Sequence, residues 1–195
     1  MGERRAGLPA AVRSARADAA ATLLLALPEL ADVAGRTIAG YVAMKGELDP
    51  AVALARACAG GCKVALPRVS REMRRLHFHE VAPGVALVSG SGPFGLVEPD
   101  PASPEVAVED LDVMIVPGVA FDAEGRRLGL GGGYYDGALA VARAGGRAAL
   151  IGIAYDFQIV DDCPAGDADV PVDLVVTDAR VLRRTARASE TGGAV

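Results

Sequence analysis

The 195-residue sequence has no apolar run of the roughly 18 to 20 residues that a membrane span requires; its longest candidate, AAATLLLALPEL, is interrupted by Pro28. The N-terminus places Glu3 beside Arg4 and Arg5 and carries no apolar segment followed by a small-residue cleavage site. A soluble, cytoplasmic protein with no membrane partner is expected. Positive charge is also in short supply, with 20 Lys and Arg against 25 Asp and Glu and a net charge of -5. The arginines are scattered apart from pairs such as Arg74-Arg75 and Arg183-Arg184. Nothing in that balance attracts a polyanion, so nucleic acid is not an expected partner.

Cysteine is scarce too. The three residues, Cys58, Cys62 and Cys163, are too few and too odd in number for a disulfide framework. The segment CAGGC has no histidine or further cysteine near it to complete a zinc site, so buried or incidental thiols are expected. No repeat and no domain linker appears. With 51% hydrophobic residues, the chain is read as one α/β domain over residues 1–182, followed by a polar, disordered tail over 183–195.

The pattern within that domain alternates helices and strands. Residues from about Pro9 to Ala26 read as a helix that Pro28 helps to end, and TIAGYVAM as a short strand. Asp49 is placed to cap a helix with Pro50 at its first position, running to about Ala59 and stopping at Gly60-Gly61. KVALP reads as a short buried strand. RRLHFHEV reads as a more polar strand with Leu76, Phe78 and Glu80 on one face and His77 and His79 on the other, solvent-facing side. Two histidines at that spacing have the geometry of a half-built metal site, but no third ligand accompanies them.

From Pro83 to Glu109, proline, glycine and serine predict a long ordered loop. LDVMIVP and RAALIGIAY are continuous apolar runs of the parallel-sheet type, as is the shorter VDLVVT. Between the first two lies a glycine segment and a helix from about Tyr135 to Ala144, which together make a βαβ unit.

The glycine segment, RLGLGGGYYDG from Arg127 to Gly137, falls where an open α/β sheet binds ligands, beyond the carboxyl end of a strand. Its glycines would let backbone N-H groups approach phosphate oxygens at a helix N-terminus. The dinucleotide fingerprint G-x-G-x-x-G fails because Tyr134 stands at the third glycine, and no Gly-Lys-Ser or Gly-Lys-Thr exists for a Walker A loop. A phosphate-binding loop and a flexible hinge both remain open on these grounds.

The longer stretch VPGVAFDAEGRRLGLGGGYYDGAL resembles the signature of the 5-formyltetrahydrofolate cyclo-ligase family, P-G-x-A-F-D followed by R-L-G-R-G-G-G-Y-Y-D. GYVAMKGELDP, VALPRV, PFGLVEP and DVPVDLVVT resemble further blocks of that family in the same order, from about Arg36 to Thr177. The resemblance implies a three-layer α/β/α sandwich with a mostly parallel sheet, of the isomerase and CoA-transferase-like type. It also implies a monomer whose partners are 5-formyltetrahydrofolate and ATP, with Mg²⁺ as cofactor. Carried over by position, Arg127, Leu128, Gly129, Leu130, Gly131, Gly132, Gly133, Tyr134 and Tyr135 would hold ATP, with Arg127 and Tyr135 catalytic. Val42, Met44, Glu47 and Tyr134 would contact the folate, and Asp136 and Asp169 the Mg²⁺. From the residues alone Asp136 is equally a helix N-cap, and Asp173 competes with Asp169 on the same strand.

The chain departs from the family pattern twice. Leu130 stands where the family usually has arginine, with Arg126, Arg127 and Lys45 as candidate replacements for the lost charge. The basic K-x-x-L-R helix usual at the start is not seen, RRAGLP resembling the end of that helix and the turn beyond it, so that either the start lies further upstream or part of the nucleotide site is lacking. These departures leave a catalytically weakened folate- or nucleotide-binding member as the alternative, with an unrelated ATP-using enzyme on the same fold as a third reading.

Overall fold

Three of the apolar runs become neighbouring parallel strands, because residues buried on both sides of a strand need helices over both faces of the sheet. The computed structural model describes residues 1–44, 46–82, 85–90, 97–164, 166 and 169–185. In chain order the elements are α1 (Gly2–Ala6), α2 (Ala10–Leu25), β1 (Thr37–Ala39), α3 (Ala51–Ala59), β2 (Lys63–Ser70), β3 (Arg75–Glu80), β4 (Val88–Ser89), β5 (Val97–Glu98) and β6 (Glu105–Val106). They continue through β7 (Val113–Pro117), β8 (Ala120–Phe121), β9 (Arg127–Leu128), α4 (Tyr134–Gly145), β10 (Ala149–Ala154), β11 (Leu174–Thr177) and β12 (Val181–Arg183).

Eight strands form the main sheet in the order β12-β11-β10-β7-β1-β2-β3-β6. Pairing is parallel from β11 to β2 and antiparallel at both margins, where β12, β3 and β6 join. The two-residue alternation of a strand distributes the core. Val113 and Ile115 face α2 and α3, packing with Ala21, Leu24 and Leu54. Met114 and Val116 face α4, packing with Leu139 and Ala142. This is the expected three-layer sandwich with a mostly parallel sheet.

The order of strands locates the site. From β1 the chain moves outward to β2 and β3, whereas from β7 it moves the opposite way to β10 and β11. A crevice therefore opens beyond the carboxyl ends of β1 and β7, the position that doubly wound sheets use for ligands.

Several local expectations change. β1 is only Thr37–Ala39; Gly40 still donates to Ala65 O at 2.9 Å, but a Cβ there would lie 2.5 Å from Leu54, and the chain then leaves the sheet. Released from pairing, Tyr41 and Val42 reach the crevice. β2 runs on to Ser70 because β3 pairs with it from Ala65 to Ser70. His79 is not solvent-facing: it is 7% exposed, and its Nδ1 lies 2.8 Å from Ser103 O because β6 and the segment before it cover that edge. His77 is half-buried, with Nδ1 2.7 Å from Glu105 Oε1. The long loop from Pro83 is interrupted by the short strands β4, β5 and β6.

Of the expected tail, residues 183–185 are described. Arg183 closes β12 and pairs with Glu29 at 2.6 Å, Arg184 N donates to Asp173 O at 2.9 Å, and Thr185 N donates to Ala123 O. The rest of that tail, 186–195, lies outside the described residues. The thiols are free, and burial pushes Cys62 up to about 11, which suits a packed, unreactive side chain.

Candidate functional site

A cleft of about 380 Å³ occupies the crevice, and it is lined by Val42, Met44, Glu47, Asp169 and every residue from Arg127 to Asp136. All the site residues carried over from the sequence resemblance therefore meet in one cavity. The walls add residues to which no role was assigned, among them Tyr41, Pro67, Leu76, Glu98 and Pro117.

One end is built on the glycine loop between β9 and α4. Gly131 and Gly133 have φ of +80° and +69°, a left-handed conformation that side chains disfavour, and Gly133 is the N-cap of α4. The N-terminus of this 12-residue helix thus opens on the cleft with its unpaired amides. Arg127 folds back across the loop: its Nη1 lies 2.7 Å from where a Cβ on Gly129 would sit, so that position admits only glycine without displacing the guanidinium. Its Nη2 donates to Asp136 Oδ1 at 2.5 Å, and its guanidinium lies 5.7 Å from the Tyr135 ring centre.

Asp136 is consequently not the helix cap. It sits in the first turn of α4, with one oxygen committed to Arg127. Asp169 accepts from Gly166 N through Oδ2 at 2.7 Å. Each carboxylate keeps a second oxygen without a hydrogen bond among the described residues, and both border the same cavity. That donor set fits Mg²⁺, which takes hard oxygen ligands and retains waters and phosphate oxygens in its remaining positions.

A second acidic group, Asp122, Glu124 and Asp162, does not fit. Arg126 lies 2.7, 2.6 and 2.5 Å from the three carboxylates respectively. Asp122 further accepts from the amides of Glu124, Arg126 and Cys163. With the Arg126 guanidinium already bridging all three carboxylates and amides filling the acceptors of Asp122, the cluster ties the β8–β9 turn to the segment around Cys163. It also removes Arg126 as a replacement for the charge missing at Leu130, which is 56% exposed. Lys45, another candidate replacement, lies outside the described residues, as do residues 93–96 of PFGLVEP.

The other end is built on the turn after β1. Glu47 Oε2 accepts from Met44 N at 3.1 Å, and Glu47 N donates to Met44 O at 2.9 Å. Gly46 makes this turn with φ +75°, and a Cβ there would lie 2.9 Å from Arg5 O. Helix α1 thus rests directly on the turn. Arg5, 3% exposed, donates to Gly118 O at 3.2 Å and reaches within 4.0 Å of Glu47 Oε1. Burial first, and then the Glu47 carboxylate, raises the Tyr135 phenol well above its ordinary pKa, with Arg127 opposing. Tyr135 is therefore a neutral hydrogen-bond donor at physiological pH, not a base. Tyr41, raised in the same way, anchors the turn through its hydroxyl on Leu48 O.

Sequence reasoning assigned no role to Glu98 or Arg5. Glu98, 1% exposed, accepts from Val69 N at 3.1 Å and lies 3.5 Å from Arg68 Nη2. Its only signal was the Glu-Pro pair within a glycine- and proline-rich segment. Arg5 stood out in sequence only as one of the N-terminal charges beside Glu3 and Arg4.

A profile of the 5-formyltetrahydrofolate cyclo-ligase family matches residues 1–178. The 5-formyltetrahydrofolate cyclo-ligase of Mycolicibacterium smegmatis is 32% identical over 183 residues, covering 91% of this chain and 90% of that protein. The Escherichia coli protein of the same name is 31% identical over 92% of this chain and 97% of its own length. The solved structure of Aquifex aeolicus 5,10-methenyltetrahydrofolate synthetase superposes with a TM-score of 0.76 at 31% identity, covering 98% of this chain and 95% of that one.

Proposed function

Because the chain belongs to the 5-formyltetrahydrofolate cyclo-ligase family, we propose that its cleft converts 5-formyltetrahydrofolate to 5,10-methenyltetrahydrofolate with hydrolysis of ATP to ADP and phosphate. The observation that carries this reading is the meeting of the glycine loop and Glu47 in one cavity, from segments about eighty residues apart in sequence. The two ends suit two substrates whose reacting atoms must touch.

A formamide oxygen is a poor leaving group. Its attack on the γ-phosphorus of ATP forms a carbon-oxygen-phosphorus link and releases ADP; N10 then attacks the formyl carbon, closes the ring and expels phosphate. No protein nucleophile is needed, so the residues contribute position and charge. The amides of Gly131 to Tyr134 and the N-terminus of α4 bind phosphate oxygens, and Arg127 offsets the charge that builds on the transferring group. Glu47, an acceptor on both oxygens, holds the pterin amine and ring N-H and sets the formyl group toward the loop. Val42, Met44 and Tyr134 supply the apolar surface for the ring, and Tyr135 donates a hydrogen bond as a neutral phenol. Asp136 and Asp169 would hold Mg²⁺, which would supply charge neutralisation for the phosphates.

Mixing the purified protein with Mg-ATP and 5-formyltetrahydrofolate is expected to give a rise in methenyl absorbance together with ADP. Folate binding seen by calorimetry with no product would sink the enzyme reading in favour of a binding protein, the alternative that the apolar Leu130 on this loop supports.

A further inference from the structure

The β2–β3 hairpin turns through Arg71, Glu72, Met73 and Arg74, all exposed, and its tip leans over the glycine loop. Arg74 Nη2 donates to Gly132 O at 3.3 Å, between residues 58 positions apart. Arg74 is also the one non-glycine residue with positive φ, 49°, among the described residues. That backbone conformation is adopted freely by glycine and rarely by arginine.

The cations of the loop's own segment are committed elsewhere, Arg127 to Asp136 and Arg126 to three carboxylates. Arg74 is different: no ion pair engages it among the described residues, and only one of its donors is used on a loop carbonyl. Leu76, two residues on, lines the cleft itself, which puts this side of the hairpin on the cavity rim.

We propose that Arg74 is a phosphate-binding residue of the nucleotide site, its guanidinium held on Gly132 so that it faces the triphosphate and supplies the charge absent at Leu130. A guanidinium suits that task because its fixed fork matches two phosphate oxygens at once. The exposed Arg74-Arg75 pair then has a purpose for its first member. Arg75, the neighbouring residue on β3, points to the opposite side and serves as the control.

This proposal rests on the reading of the glycine loop as an ATP site, and its test uses binding of the non-hydrolysable analogue AMP-PNP with Mg²⁺ as well as turnover. Arg74→Gln is expected to weaken analogue binding and to raise the KM for ATP by about tenfold or more, as for loss of a charged hydrogen bond. The KM for 5-formyltetrahydrofolate and all constants of Arg75→Gln should match wild type. Adding Leu130→Arg to Arg74→Gln should restore nucleotide affinity. Arg74→Gly, which relieves the positive φ, should lose affinity with no fall in melting temperature.

Arg74→Gln and Arg75→Gln with equal nucleotide constants would overturn the proposal. So would loss of affinity in Arg74→Gly only alongside lost thermal stability, which marks a structural latch, or a double variant no tighter than Arg74→Gln. Wild-type protein that binds the analogue yet makes no product sinks the cyclo-ligase reading alone and leaves the Arg74 comparison readable by binding.

Discussion

Glu47→Gln removes one charge, keeps the side-chain shape, and separates what this residue does for the fold from what it does for the substrate. The Glu47 and Arg5 side chains are 9% and 4% exposed and stand 4.0 Å apart. Two unit charges at that distance attract by about 4 kcal/mol at an effective dielectric of about 20. Desolvation of both groups offsets part of this, so stranding the Arg5 guanidinium is expected to destabilise the protein by about 2–3 kcal/mol. At about 2–4 °C per kcal/mol for a chain of this size, the melting temperature should fall by about 5–10 °C. Loss of a charged acceptor for the pterin should also weaken 5-formyltetrahydrofolate binding about 10- to 100-fold. Nucleotide affinity should not move.

Calorimetric titration with each ligand and a thermal melt read these effects separately. Adding Arg5→Met is expected to recover much of the lost stability, because no buried charge is then unmatched, while folate affinity stays low. The reasoning is refuted if Glu47→Gln melts like wild type and binds folate equally well. It is refuted as well if folate and nucleotide weaken together, since that would report a general loosening of the cleft.

Arg127→Gln should lower kcat about 10²- to 10³-fold, the usual cost of removing one group that stabilises transition-state charge, with folate affinity retained by calorimetry. Asp112 supplies the pH dependence: burial raises its pKa, but the Thr37 amide at 2.8 Å and the guanidiniums of Arg147 and Arg36 outweigh that and leave it below its ordinary value. Its stabilisation is therefore present above the unfolded carboxyl pKa of about 4 and lost as pH falls through the lowered folded value, so urea curves of wild type and Asp112→Asn should converge in acid. Asp169→Asn should shift the Mg²⁺ dependence of turnover to higher concentration, whereas Glu124→Gln, in the cluster already bridged by Arg126, should leave that dependence in place.

What the sequence made legible follows from how local each signal is. β7, β10 and β11 could be read because strands covered on both faces are apolar at nearly every position. The glycine loop could be read because positive φ at Gly131 and Gly133 restricts residue type locally. Glu98 and His79 could not: their burial depends on Arg68, Val69 and Ser103, brought in by strand pairings that no local period encodes. Arg5 was hidden for the same reason, since its partners Gly118 and Glu47 lie in the segments that follow β7 and β1. The end of β1 was misplaced because TIAGYVAM keeps a strand-like composition past Gly40, although the strand ends at Ala39.

The same distinction explains how one short signature both lines the glycine-loop end of the cleft and braces it. Its acidic members divide by partner: Asp122 is saturated by Arg126 and three amides and fixes the β8–β9 turn, while Asp136 keeps an oxygen open beside the loop. Arg126 and Arg127 are adjacent in sequence yet serve these different acids, because successive residues on an extended segment point to opposite sides. The turn thereby becomes a rigid base from which Arg127 crosses to the α4 terminus. Of the two adjacent arginines, only Arg127 borders the cleft, and its charge is shared with Asp136. On the proposed nucleotide reading, with leucine at position 130, further charge for phosphate comes from outside the signature, and among the described residues Arg74 on the hairpin already touches the loop.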